Sequence, residues 1–126
     1  MQQFEIPGRL STLNEYTLKC RGKYGQYGGN NLKKKNETQV KNAIISANIQ
    51  KVTNYPVKIS YLWVEENKKR DKDNIAFAHK FVQDALVETE ILENDGWKHI
   101  DSFSDDFEID KENPRIIVTI FEQGEY

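Results

Sequence analysis

Alternating apolar and polar residues predict the strands of this chain. Residues 3–6 alternate and predict a short first strand. Residues 57–64 combine β-branched and aromatic side chains with alternation at their start, which is the clearest strand signal in the sequence. Residues 115–121 are apolar on both faces and therefore predict a central strand. Segments 97–103 and 107–109 contain further strand-forming residues.

Two other segments show the spacing of amphipathic helices. Residues 36–53 predict a first helix, in which Val40, Ile44 and Ala47 fall on one face. Residues 74–89 predict a second helix with apolar residues at the same spacing. The elements then follow in the order strand, loop, helix, strand, helix, strand, strand. This order indicates an α+β fold, with a small mixed or antiparallel sheet and two helices packed on it.

The segment between the first strand and the first predicted helix is rich in glycine and basic residues. It lacks apolar periodicity, so the sequence predicts a mobile basic loop over about residues 17–35. One interpretation is a disordered surface insertion. The other is a basic arm that contacts phosphates, with tyrosine rings that stack on bases.

Composition narrows the class of protein. The chain has 126 residues, 37% of them hydrophobic and 30% charged, which suits one domain, residues 1–126, with a small core. A single cysteine, Cys20, excludes an internal disulfide and a thiolate-rich zinc site. No apolar run approaches the roughly 18 residues of a membrane span, and residues 1–5 lack the features of a secretion signal. We therefore expect a cytoplasmic protein without a membrane partner.

Charge is unevenly distributed, although the net charge is only −2. Residues 16–36 contain basic residues and no acid, whereas residues 84–112 are strongly acidic. Such a chain can hold an anionic polymer on one side only.

The segment Asp71-Lys72-Asp73-Asn74 is the main candidate for chemistry. A helix cap explains one of its acids, because Asp and Asn are preferred at helix starts. In an extended segment, Asp71 and Asp73 project to the same side and repel each other unless a cation lies between them. Oxygen ligands favour Mg²⁺ or Mn²⁺. A calcium EF-hand is excluded, because Ile75 and Ala76 occupy positions that need a ligand and a glycine.

Neighbouring residues strengthen the metal hypothesis. Lys80 comes seven residues after Asp73, nearly two helical turns, and so falls on the same helix face. Asp95 lies in the turn that follows this helix and is a candidate third carboxylate. Basic residues beside metal-binding acids suit a phosphodiester; here they are Lys68, Lys69 and Arg70. Each of these residues also has an ordinary explanation as a solvated charge or a turn former.

The order Arg70-Asp71-Lys72-Asp73-Asn74, then Lys80-x-x-x-Asp84-Ala85-Leu86, then Asn94-Asp95 resembles the RusA family of Holliday junction resolvases. Residues 11–16, after Pro7, are similar to that family's opening. The resemblance covers nearly the whole chain, and its specific part is residues 70–95. In better-known members the lysine follows the second aspartate by about one turn. Here three extra residues intervene, which adds about 4.5 Å of helix rise.

The resemblance implies a Mg²⁺-dependent endodeoxyribonuclease, with Mn²⁺ as a substitute, that resolves four-way junctions in phage or prophage recombination or DNA processing. It implies that Asp71, Asp73 and Asp95 hold the metal and that Lys80 stabilises developing charge. It also implies a homodimer that makes paired symmetric nicks. The residues expected to contact DNA are Asn14, Tyr16, Arg21, Lys23, Lys33, Lys34, Lys35, Lys68, Lys69 and Arg70.

Two alternatives stay open at this point. The first is a non-catalytic nucleic-acid-binding or scaffold protein of a phage, with a degenerate site. The second is a different Mg²⁺ nuclease with an Asp…Glu-x-Lys site, since residues 66–68 read Glu-Asn-Lys. His79 is a further candidate for a supporting role near the metal.

Overall fold

The computed structural model describes residues 1–22 and 25–126, and its fold is α+β, as the sequence predicts. The described part contains a four-stranded mixed sheet and helices that pack on it. Its elements are β1 (Gln2–Pro7), α1 (Leu13–Arg21), α2 (Gly25–Ser46), β2 (Val57–Glu65), α3 (Lys72–Ala76), α4 (His79–Glu88), β3 (Ile100–Ile109) and β4 (Arg115–Phe121).

The sheet has the strand order β1-β4-β2-β3. β4 runs antiparallel to both of its neighbours, which confirms the prediction of a central last strand. β2 and β3 run parallel and are joined by a crossover through α3 and α4. In the register of this pair, Val57 lies opposite Ile100 and Glu65 lies opposite Ile109. The segment after β2 and the segment before β3 therefore lie at opposite ends of the sheet.

One hydrophobic core holds the helices against the sheet. In β2 and β4, every second residue is buried, so one face of the sheet is covered while the other stays accessible. The covered face presents Ile59, Tyr61 and Trp63, each about 1% exposed or less, to the helices. Val40 of α2 and Phe81 of α4 are fully buried in the same cluster.

Two helices occupy most of the segment for which a mobile loop was predicted, and that prediction is wrong for the residues that the structure describes. Thr12 begins α1 with a capping box, in which its side chain and that of Glu15 satisfy backbone amides reciprocally. Glycine in α2 does not break the helix. A Cβ atom at Gly29 would lie 2.5 Å from the Cys20 sulfur, so glycine allows α1 and α2 to approach closely. Lys23 and Tyr24 lie outside the described residues.

The helix boundaries differ from the predicted ones in two further places. The first predicted helix begins at Gly25 rather than near residue 36 and ends at Ser46 rather than Thr53. Asn48, with a φ of 53°, turns the chain away after that end. The second predicted helix is divided at Phe77 into α3 and α4. No helix in the described ranges has both the length and the apolar character needed to cross a membrane.

Candidate functional site

An open pocket of about 400 Å³ lies at the carboxyl ends of the parallel strands β2 and β3. Asp71 lines this pocket together with two other acids, Glu65 and Glu108. Lys72 contributes a cation, and its ammonium lies 5.3 Å from the centre of the Phe107 ring. The pocket therefore combines carboxylates with basic residues at the edge where parallel strands commonly bind ligands.

Asp71 and Asp73 lie at the start of α3, next to this pocket. Asp71 is the residue that precedes the helix, but its side chain makes no capping hydrogen bond. Asp73 lies in the first turn, and its Oδ1 accepts a hydrogen bond from the Asn74 amide at 3.0 Å. Both side chains are exposed, and neither forms an ion pair with a described residue. Helix capping alone therefore leaves the Asp71 carboxylate unexplained.

Asp95 lies at the opposite end of the sheet. The Gly96 carbonyl accepts hydrogen bonds from the His99 and Ile100 amides, and the His99 carbonyl accepts one from Val57 at the start of β2. Asp71, in contrast, lies beyond the end of β2. The eight residue steps of β2 span about 26 Å at about 3.3 Å per residue. Within one chain, Asp95 is therefore far from Asp71 and Asp73.

The predicted three-carboxylate metal site is not formed within one chain. Among residues 1–22 and 25–126, no group of three or more His, Cys, Asp or Glu residues is placed to hold a metal ion. The physical reason is the parallel crossover, which returns the chain to the starting end of β2 before β3 begins. Asp71 and Asp73 are two exposed carboxylates at the start of α3, and Asp95 is far from both.

Lys80 and Asp73 lie on different helices, α4 and α3 respectively. The division between α3 and α4 breaks the continuous helix on which the prediction of a shared face depended. The Lys80 ammonium lies 3.6 Å from Asp84 Oδ2, in an ion pair within α4. Asp84 also pairs with Lys33 of α2 at 3.4 Å. Asp84 therefore connects α4 to α2.

Lys33 and Glu37 form a partly buried cluster with Asp84. Glu37 is 4% exposed, and its Oε1 has no hydrogen-bond partner among the described residues, although Lys33 Nζ lies 3.7 Å away. Burial makes the largest contribution to the raised pKa of Glu37, and the negative charge of Glu88 raises it further. Burial lowers the pKa of Lys33, but the nearby carboxylates, Asp84 first, outweigh burial and raise it. Lys33 is thus engaged between helices rather than free to contact DNA.

The other residues predicted to contact DNA divide into two groups. Tyr16 packs against Phe77 and Phe81, and Arg70 donates hydrogen bonds to Leu10 and Glu15, so both are engaged inside the protein. The remaining ones are exposed and form no ion pair with a described residue; they are Asn14, Arg21, Lys34, Lys35, Lys68 and Lys69. The predicted contact Lys23 lies outside the described residues. Exposed cations thus lie both beside the pocket and along α1 and α2.

Arg9 supports the back of the pocket, a role that no pattern in the sequence indicates. Its Nη2 donates to Glu65 Oε1 at 2.9 Å, and its Nη1 pairs with Glu66. Glu65 is only 5% exposed, so the ion pair satisfies a buried carboxylate at the end of β2. This contact also engages Glu66, the acid of the alternative Glu-x-Lys hypothesis. Glu108 was also missed, because nothing in the sequence places β3 beside the Asp71 segment.

His79 lies inside an aromatic cluster between α4 and the sheet. Its Nε2 lies 2.6 Å from Asp105 Oδ1, which also accepts a hydrogen bond from Trp63 Nε1 at 2.7 Å. The ring of His79 packs against Tyr61 and Phe103. Burial raises the pKa of Tyr61. These contacts attach α4 to β3, so His79 has a structural role in the fold.

The chain matches no known family model and no curated protein.

Proposed function

We propose that this protein is a Mg²⁺-dependent endodeoxyribonuclease that resolves four-way DNA junctions as a homodimer through paired symmetric nicks. The observation that carries the proposal is the pocket that Asp71 lines at the carboxyl ends of β2 and β3. Open α/β sheets bind ligands at this end. The resemblance of residues 70–95 to the RusA family supplies the reaction and the substrate.

Each cleavage site is built from two chains in this proposal. Asp71 and Asp73 lie beyond one end of β2, and Asp95 lies near the other end. A two-fold axis that sets the β3 strands of two copies antiparallel brings the partner subunit's Asp95 towards Asp71. β3 is an outer strand that pairs only with β2 in the described sheet, so its other edge is available. Two-fold symmetry then generates two equivalent sites.

The residues in and around the pocket have distinct roles in this mechanism. Asp71 and Asp73 concentrate negative charge on exposed oxygens, which suits a hard cation. Asp71 and Asp73 would hold a Mg²⁺ ion, which when bound would supply Lewis-acid activation of a phosphate and of a water molecule. Lys68 and Lys69, both exposed, attract the DNA backbone to the pocket. Arg9 neutralises Glu65 behind the pocket and limits repulsion of the phosphate.

Single substitutions test the nuclease activity. We expect Asp71→Asn, Asp73→Asn and Asp95→Asn each to abolish Mg²⁺-dependent nicking of a synthetic four-way junction while junction binding is retained. Removing a carboxylate takes away a metal ligand and reduces repulsion of phosphate. Glu112→Gln, on an exposed turn, is the matched control. An unmodified protein that binds junctions but never cuts them would refute the nuclease proposal.

Mixed dimers test the two-chain site. Neither Asp73→Asn nor Asp95→Asn cuts alone, but a dimer of one of each contains one intact site if Asp95 acts on the partner. We expect this mixture to nick one strand of a junction without resolving it. If all three carboxylates acted within one chain, both sites of the mixed dimer would be inactive, and no nick would appear after subunit exchange.

A non-catalytic nucleic-acid-binding protein is the second candidate. The observation that favours it is the lack of a metal-binding group within one chain, in the described part. It predicts junction binding without Mg²⁺-dependent cutting by the unmodified protein. The same nicking assay therefore decides between the two functions.

A further inference from the structure

Three adjoining depressions form a path along the protein surface from Asp71. Arg70 lines both the Asp71 pocket and a second, smaller pocket of about 190 Å³. Glu15 and Lys35 line this second pocket and also a groove between α1 and α2. A strand of nucleic acid leaving the Asp71 pocket would therefore pass over Arg70 and Lys35 before it reaches the groove.

The groove between α1 and α2 has a volume of about 850 Å³. Leu18 of α1 and Tyr27 of α2 line it and are 73% and 67% exposed, respectively. Gly22 and Gly28 also line it, so part of its wall has no side chains. Exposed aromatic and aliphatic groups in a wide groove suit a flat ring that stacks between them.

The charges around the groove favour an anionic occupant. Lys19 and Lys35 line it, and neither forms an ion pair with any residue in the described part of the chain. Among the described residues that line the groove, the one acid is Glu15, which is paired with Arg70. An apolar protein segment would desolvate both lysines without neutralising them, which is costly. A nucleotide supplies a ring for Leu18 and Tyr27 and phosphates for the lysines.

We infer that the groove between α1 and α2 binds an unpaired nucleotide of branched DNA, with its base stacked on Tyr27 and its flanking phosphates on Lys19 and Lys35. This inference rests on the proposed function and extends it to a preference for junctions with unpaired bases. The base needs to be unpaired because stacking on a side chain removes it from the DNA stack. Asn31 also lines the groove, and its side-chain amide is a group that hydrogen-bonds base edges.

The test compares affinities for two junctions, one fully paired and one with a single unpaired base near the branch. The protein carries Asp73→Asn so that binding is measured without cutting. Tyr27→Ala is expected to weaken binding of the second junction by about 5- to 150-fold, as expected for loss of one base stack. Binding of the paired junction is expected to stay unchanged. Tyr27→Phe retains the ring and the affinity.

Ile45→Ala is the matched control, because Ile45 is also on α2 and is 71% exposed but does not line the groove. Equal effects of Tyr27→Ala and Ile45→Ala would overturn the inference. A second measurement uses 5-iododeoxyuridine as the unpaired base. Light is expected to crosslink it to Tyr27, and a crosslink that persists unchanged in Tyr27→Ala would overturn the inference.

The measurements distinguish a wrong inference about the groove from a wrong proposal of nuclease activity. A Tyr27-dependent preference for the unpaired base, with no cutting by the unmodified protein, supports the groove and refutes the nuclease. Cutting without that preference supports the nuclease and refutes the groove. A shift of Tyr27→Ala from dimer to monomer in sedimentation would show that the groove is a protein contact instead, and would overturn the inference.

Discussion

Arg70 Nη2 donates a hydrogen bond to Glu15 Oε1 at 2.8 Å and so joins the segment that carries Asp71 to α1. The same Glu15 oxygen accepts a hydrogen bond from the Thr12 amide, and the side chain closes the capping box of α1. Arg70 Nη1 also donates to the Leu10 carbonyl at 3.1 Å. One carboxylate therefore supports both the start of a helix and the residue next to the candidate site.

Two substitutions separate the roles of Glu15. Glu15→Gln keeps a capping side chain but loses the ion pair, so we expect a loss of about 0.2–1 kcal/mol in unfolding free energy. Glu15→Ala also loses the hydrogen bond that Glu15 accepts from the Thr12 amide in the capping box, so we expect a further loss of about 0.5–1.5 kcal/mol. Urea denaturation of both variants measures the difference. Equal stability of the two would contradict a capping role for Glu15.

Lys33 and Lys34 are adjacent but should respond differently to substitution. Lys33→Ala removes one of the two partners of Asp84 and leaves Glu37 buried without the cation it pairs with, so we expect a loss of about 1–3 kcal/mol. Lys34 is exposed, and Lys34→Ala should stay within about 0.5 kcal/mol. Thermal denaturation measures both effects.

Substitution of the same two lysines should affect DNA affinity in the reverse order, with the larger effect at Lys34. If Lys34 contacts a phosphate, its removal lowers the slope of log affinity against log salt by about 0.9. Titrations at several salt concentrations measure this slope. A lower slope for Lys33→Ala with an unchanged slope for Lys34→Ala would refute the assignment of the two residues.

Glu37 should make stability depend on pH. Its pKa in the folded protein is raised above the ordinary 4.5, mainly by burial and then by Glu88. Between the two pKa values the folded state binds more protons than the unfolded state, so unfolding free energy falls as pH rises through this interval. Glu37→Gln should remove this part of the fall, and Glu112→Gln should not. Denaturation midpoints from about pH 4 to pH 8 measure it; identical pH profiles for the two variants would contradict the prediction.

The close approach of Gly29 to Cys20 determines how a methyl group at position 29 affects the free energy of unfolding. Gly29→Ala places a Cβ atom 2.5 Å from the Cys20 sulfur, so we expect a loss of about 1–3 kcal/mol from overpacking. In a Cys20→Ala background the same change should instead stabilise by about 0.5–1 kcal/mol, because alanine is the better helix former. Thermal denaturation of the four variants measures the reversal. Additive effects would show that the two residues do not clash.

The sequence predicted the sheet better than the helices. Strand 57–64 and strand 115–121 were recognisable because β-branched residues and alternation are local signals. α1 and the part of α2 before residue 36 were missed because their stability comes from tertiary contacts. Gly29, for example, signals a loop in isolation, but in the fold it provides space for Cys20. The break at Phe77 likewise has no clear sequence signal.

The candidate site was predictable only in part. The spacing of Asp71 and Asp73 is a local pattern, and both residues lie next to a pocket. The position of Asp95 depends on the direction of β3, which the sequence does not specify. The parallel pairing of β2 with β3 places it at the other end of the sheet. The roles of Arg9 and Glu108 depend on contacts over more than thirty residues of chain, which no local pattern reports.

The length of β3 sets the distance between the two cleavage centres in the two-chain arrangement proposed here. The two cleavage centres would lie at the two ends of the antiparallel β3 strands, and nine residue steps set them about 30 Å apart. That distance corresponds to about nine base pairs of duplex at about 3.4 Å per pair. The gap between the two incisions would then be fixed by strand length rather than by loops, and insertion of two residues into β3 would widen it by about 7 Å.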